Sequence, residues 1–276
     1  MVKLPAEIFG YPTEMKNDEI KKVRTTFGCP FLHKKCTKQS RLIKYPMGVC
    51  SVIYGKDIIA LCPKRFLQED TVFQNIADHY FKTRDNLMIF SEIGLKKIGN
   101  FDYVMVKHKP LRSEIEDFII IEFQTGQTTS TGSLVKSLED YMNSIDIKKN
   151  KYNFGLNYAD IWKRTFTQIL NKGIILENWG HKIYWVAQEQ IFDDLKRRYN
   201  LENITYDEED ITVFFEYNMK YDKNKYKLIN TKIDSASIDE LFKAFRTNPN
   251  IPSKTLFLSK LQEKIKLNLN LKLELK

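Results

Sequence analysis

Apolar residues recur along this chain with two periods, and those periods predict most of its elements. Val72, Ile76 and Tyr80 lie at helical spacing and predict a helix over 71–83. Glu69 and Asp70 stand near its start, where the helix dipole favours acids. Residues 101–106 read as a strand closed by Lys109-Pro110. Residues 118–124, Phe-Ile-Ile-Ile-Glu-Phe-Gln, form a short β-branched run, as in a strand buried on both faces. A polar loop is expected over 125–132 and a helix over 158–170 that stops at Lys172-Gly173. A strand over 182–187 and a helix over 190–199 follow. Residues 211–217 and 225–231 predict an antiparallel hairpin. Ser237, with Glu240 three residues on, predicts a capping box opening a helix over 237–246. Ile265, Leu267, Leu269, Leu271, Leu273 and Leu275 alternate with polar residues and predict a half-buried terminal strand. Trp179 and Trp185 are expected in the core.

Composition narrows the class. The 276 residues are 42% hydrophobic and 29% charged, ordinary for a folded protein and unlike a disordered one. No stretch approaches the roughly 20 apolar residues of a spanning helix, and the first residues lack a signal-peptide core. A cytoplasmic, bacterial protein without a membrane partner is the expectation. The net charge of +9 is unevenly placed: residues 1–65 hold 13 Lys or Arg against 5 Asp or Glu. A basic excess confined to one segment suits a polyanion-binding surface, the alternative being a solvated lysine-rich face.

All four cysteines share that segment. Cys29, Cys36, Cys50 and Cys62 are separated by six, thirteen and eleven residues, and none follows. Two disulfides are one arrangement; a reducing compartment favours the other, four thiolates around one metal. Cys29-Pro30, Cys62-Pro63 and Gly48 before Cys50 suit turns that present sulfur. Zn and Fe fit four thiolates equally well. His33, His79, His108 and His181 show no ligand spacing.

The chemistry is expected in the middle of the chain. Glu122 within Ile-Ile-Ile-Glu-Phe is a local contradiction, since a buried carboxylate costs several kcal/mol unless it is paired or binds a metal. Strand alternation puts Glu122 and Gln124 on one face. Were the two strands neighbours, Asp102 and Glu122 would converge on one hard cation such as Mg2+, which takes one or two carboxylates and keeps waters.

This pattern resembles the PD-(D/E)xK nuclease superfamily, with Asp102 at the first acid, Glu122 at the second and Gln124 at the lysine position. A glutamine lacks the lysine's charge, although its amide can orient a water or a phosphate. Glu92 is a further candidate acid, the alternative being a capping or surface glutamate. The cysteine segments Cys29–Leu32, Gly48–Ser51 and Cys62–Phe66, together with Gly99–Val104, Ile121–Thr125 and Thr128–Gly132, are similar to NotI-type restriction endonucleases over about residues 8–190. The resemblance implies a homodimeric type II restriction endonuclease that needs Mg2+, held by Asp102 and Glu122, to hydrolyse phosphodiester bonds at a palindromic double-stranded DNA site. It also implies catalytic roles for Asp102, Glu122, Gln124 and Glu92, with iron in the four-cysteine site. The fold expected is α/β: a PD-(D/E)xK core of mixed sheet and flanking helices over 69–200, a basic metal-binding lobe over 1–68 and an α+β extension over 201–276. Gln127, Thr128, Thr129, Lys34, Lys35 and Arg41 are candidate DNA contacts. A non-enzymatic DNA-binding protein with a structural metal, or a repair or phage nuclease of the same superfamily, are the alternatives.

Overall fold

The computed structural model describes residues 1–247 and 253–267. The chain opens with β1 (Lys3–Ile8), β2 (Tyr11–Pro12), α1 (Asp18–Thr26), β3 (Gly28–Cys29), β4 (Lys34–Lys35), β5 (Val49–Tyr54) and β6 (Asp57–Ala60). A 3-10 segment, Pro63–Asp70, leads into α2 (Thr71–Tyr80), β7 (Leu87–Leu95), β8 (Gly99–His108) and β9 (Ile115–Phe123). Next come β10 (Thr128–Thr129), α3 (Thr131–Met142), β11 (Gly155–Leu156), α4 (Tyr158–Trp179), β12 (Ile183–Gln188) and α5 (Glu189–Tyr199). The described part closes with β13 (Thr212–Asp222), β14 (Lys225–Ala236), α6 (Ile238–Arg246) and α7 (Lys254–Lys266).

A mixed six-stranded sheet in the order β14-β13-β12-β9-β8-β7 forms the centre, so the α/β expectation holds. β12 runs parallel to both β9 and β13, and the outer pairings are antiparallel. The hairpin β13–β14 therefore extends the same sheet as the candidate catalytic strands. Ile119, Ile120 and Ile121 are buried, as their unbroken apolar run requires of a strand covered on both faces. On one face, Val72, Phe73 and Ile76 of α2 pack against Tyr103, Met105, Ile121 and Phe123. On the other, α4 and α5 bring Trp162, Phe166, Ile169 and Phe192 onto Val104, Ile120, Trp185 and Phe214.

The N-terminal segment builds a second, four-stranded sheet in the order β2-β1-β5-β6. Its apolar side chains do not stand alone: Ile8, Phe9, Val49, Val52 and Leu61 share a core with Leu134, Val135 and Leu138 of α3. Gln188 joins the two sheets by accepting from Ala60 N–H (2.5 Å) and donating to Ile58 O (2.7 Å). Gly126 N–H adds a bond to Ala60 O at 2.9 Å. A Cβ at Gly126 would stand 2.7 Å from Ile59 Cγ2, so only glycine permits this approach. A buried pair, Glu7 with Arg65 (2.8 Å), lies at the same junction, and Arg65 also donates to Tyr226 O on β14.

Beneath α5, Lys196 donates to Glu216 on β13 and to Asp234 on β14, and Lys232 reaches Asp234 at 2.7 Å. Glu216 and Asp234 are both fully buried.

Several sequence expectations need correction. The helix read as ending at Gly173 continues to Trp179, where Gly180 caps it in the left-handed region (φ +69). Gly173 is a packing residue: a Cβ there would meet Ile238 Cδ1 at 2.3 Å. Trp185 is buried, but Trp179 is 47% exposed. The loop after β9 contains a short strand pairing with β11. Ile265 lies in α7 and Leu267 caps that helix, so no strand begins there; the alternation at 269–275 falls outside the described residues. Ser253 caps α7, and its Leu, Lys, Gln and Glu content favours helix over the period-two reading of its last residues. The capping box of Ser237 and Glu240 is present as expected.

Candidate active site

The β8–β9 register pairs Tyr103 with Ile121, which sets Asp102 opposite Glu122 one step further along. Phe123 N–H donates to Asp102 Oδ2 at 2.9 Å, and Asp102 N–H donates to Glu122 Oε1 at 3.4 Å. On the other side of β8, Ser91 pairs with Tyr103 and Ile93 with Phe101, so Glu92 stands opposite Asp102. The three acids thus form one row across β7, β8 and β9. Glu92 holds φ +56 in mid-strand, a left-handed conformation that costs about 1–3 kcal/mol in a non-glycine residue and clusters at functional sites.

All three acids line a cleft of about 670 Å3. Lys38 and Lys64 from the cysteine segment form one wall, and Arg164 and Gln168 of α4 form another. Lys64 Nζ donates to Tyr103 Oη (3.3 Å), beside Asp102, and Lys38 Nζ donates to Leu61 O (2.8 Å). Cations from the N-terminal segment therefore face the same space as the acids of the central sheet.

One face of α4 braces the strand below it. Thr165 Oγ1 donates to Gln124 Oε1 (3.0 Å), and Gln124 Nε2 donates to Gln168 Oε1 (3.3 Å). Lys172 Nζ donates to Glu122 Oε1 (2.6 Å) and to Asn100 O (2.9 Å). Burial, and then the charge of Asp102, push the Glu122 carboxyl up to about 7, while Lys172 acts in the opposite direction. Sequence reasoning missed Thr165, Gln168 and Lys172. Their i, i+3, i+7 spacing was a usable signal, because it places three polar residues on the face that also carries Trp162 and Ile169.

The four cysteines lie close enough to influence one another's charge. Cys29 and Cys50 are buried, while Cys36 and Cys62 are half-buried. Backbone N–H groups of Phe31 and Leu32 donate to Cys29, that of Gly10 to Cys50 and that of Lys64 to Cys62. Burial raises the thiols of Cys29, Cys50 and Cys62, and these hydrogen bonds oppose the rise. Each Cys-Pro pair opens a turn: Leu32 N–H bonds to Cys29 O and Arg65 N–H to Cys62 O. Among the described residues, no group of three or more His, Cys, Asp or Glu side chains is arranged to hold a metal ion.

The expected DNA contacts are dispersed. Gln127 and Thr128 line the cleft, and Thr129 pairs with Gly155 in the β10–β11 ladder. Lys34 and Lys35 border a separate depression with Tyr11, Val23 and His33. Arg41 is exposed and does not line the cleft. Two N-terminal cations, Arg24 and Arg65, are buried and committed to interior partners. Among the described residues, no helix is long and apolar enough to cross a membrane. No curated protein matches the chain. A family model described as restriction endonuclease NotI matches residues 14–228.

Proposed function

We propose, from the premise that the chain belongs to the NotI restriction endonuclease family, that it is a type II enzyme cutting both strands of a palindromic DNA site with Mg2+. Membership makes it a restriction endonuclease, a DNA-binding hydrolase. The observation that carries the finer reading is the buried Glu122 set opposite Asp102 at the floor of a cleft with cationic walls.

The donor set fits such an ion. Mg2+ takes carboxylate oxygens from one or two side chains and fills the rest with water and phosphate oxygens. Asp102 and Glu122 would hold it, with Glu92 a third acid across the row. Bound there, Mg2+ supplies an activated water and stabilises charge on the phosphoryl oxygen. The protein's own part is positioning. Phe123 N–H fixes Asp102. Thr165 and Gln168 hold the Gln124 amide, whose second Nε2 proton remains for a water or a phosphate oxygen. Lys38, Lys64 and Arg164 attract the backbone of the duplex. The reading agrees with the PD-(D/E)xK pattern of acids on adjacent strands.

For the N-terminal segment, we infer a structural metal held by Cys29, Cys36, Cys50 and Cys62. Four thiols, three of them with backbone N–H donors, suit iron, as the family resemblance implies, or zinc. The side chains must gather further to ligate it. A homodimer is proposed on the same family ground, because a palindromic site matches a two-fold enzyme.

Digestion of sequenced plasmid and phage DNA with Mg2+, followed by end mapping, tests the activity. Fragments with fixed ends at a palindrome are expected. Asp102→Ala and Glu122→Ala should bind DNA while cleavage falls on the order of a thousandfold, several kcal/mol of lost charge stabilisation. Near wild-type cutting by either variant overturns the site assignment. Elemental analysis should find one iron or zinc per chain, and a metal-free folded protein overturns the cysteine assignment.

A further inference from the structure

We propose that Lys172 on α4 is a positioning residue of the cleavage site, bringing from a helix the positive charge that Gln124 does not bring from the strand. The proposal rests on the reading of Asp102 and Glu122 as the cation-holding pair.

Three observations carry it. Lys172 is 4% exposed, and an ammonium so buried must be paired. All its partners belong to the site: Glu122 Oε1, Asn100 O two residues before Asp102, and the Phe101 ring, 5.4 Å from Nζ. Lys172 thus ties the start of β8 to the end of β9 and fixes how Asp102 stands relative to Glu122. Second, the contact is selective between the two oxygens of Glu122. Oε1 accepts from Lys172 and from Asp102 N–H, whereas Oε2 accepts from no protein group among the described residues. Glu122 lines the cleft and Lys172 does not, so the lysine acts through the carboxylate rather than on the nucleic acid.

Third, helix and strand match in spacing. Glu122 and Gln124 are two strand residues apart, about 6.6 Å. Their partners on α4, Lys172 and the Thr165/Gln168 pair, are separated by roughly 8 Å of helix. The two partner sets therefore meet in order along one line of contact.

The test compares wild type, Lys172→Met, Lys172→Gln and Lys172→Arg in the full chain, on DNA that the wild type cuts. Single-turnover cleavage is followed across a Mg2+ series, DNA binding is measured in Ca2+, and thermal melting reports folding. Lys172→Met is expected to lower maximal cleavage about 10–100-fold and to raise the half-saturating Mg2+ concentration, with DNA affinity unchanged. Lys172→Arg should recover most of the rate. Should Lys172→Met fail to fold, Lys172→Gln keeps an N–H donor without the charge and should show the same shift in Mg2+ dependence. A folded neutral variant with wild-type rate and Mg2+ dependence overturns the proposal. So does a loss explained entirely by the unfolded fraction. Failure of the underlying reading looks different: there Glu122→Ala still cuts, or the wild type cuts nothing.

Discussion

Two lysine–carboxylate groups lie on the same face of the central sheet, each built from a Glu and an Asp on adjacent antiparallel strands and a Lys from the covering helix. One is Glu122, Asp102 and Lys172; the other is Glu216, Asp234 and Lys196. The register even links them, through Glu122 with Trp185, Trp185 with Phe214 and Phe214 with Asp234. In both, burial pushes the glutamate up to about 7. They differ in charge balance and access. Beneath α5, Lys196 and Lys232 answer two acids, and both acids are sealed. At the cleft, one lysine answers Glu122, no cation among the described residues pairs with Asp102 or Glu92, and all three acids border open space. A buried acid alone is therefore no mark of a reactive site. Negative charge left unanswered at an opening is the informative feature.

The widest separation between the two groups should come from Lys196→Met. Removing the lysine strands the buried Glu216, leaves Asp234 with Lys232 alone, and should cost about 3–5 kcal/mol of stability. Urea denaturation measures this, while cleavage per folded molecule stays at the wild-type level, the reverse of the pattern expected for Lys172→Met.

A second contrast is pH. The folded chain holds the Glu216 proton up to about 7, whereas the unfolded chain releases it near 4.5. More protons are bound in the folded state across that window, so stability falls as pH rises from about 4.5 to about 7. Asp234 is shifted the other way, below 3.8, so it is ionised in both states over this range and leaves the slope unchanged. Glu216→Gln should flatten the profile by up to about 3 kcal/mol in urea titrations run at successive pH values.

The smallest effect belongs to Thr165→Val. It deletes one hydrogen bond to Gln124, worth about 0.5–1.5 kcal/mol. A loss of cleavage no greater than about tenfold, with melting nearly unchanged, would place Gln124 as an orienting group. A larger loss would make it indispensable.

These groups also show what the sequence could reveal. The acid inside Ile-Ile-Ile-Glu-Phe pointed to Glu122, and strand alternation linked it to Gln124; the structure brings Asp102 and Glu92 into the same row. Yet Val213-Phe214-Phe215-Glu216-Tyr217 carries the same contradiction and resolves it with a lysine inside the protein. Linear sequence cannot separate the two, because the balancing charges come from helices 20 and 50 residues away along the chain. Lys172 was hidden further by Gly173, which reads as a helix stop when its packing against Ile238 is unknown. At the start of the terminal alternation the reading failed for a different reason: Ile265 belongs to a helix started by Ser253 and Leu267 caps it, so a local period was read there without the helix cap.

The shared core of the N-terminal sheet and α3 has a consequence for engineering. A segment whose apolar residues are completed by Leu134, Val135 and Leu138 cannot be transplanted as a cassette. Cut out at residue 68, it would expose that seam and lose the Gln188 and Gly126 clasps. Chimeras between relatives that aim to exchange this wall of the cleft therefore have to carry the helix at 131–142 with it, or rebuild the seam from both sides.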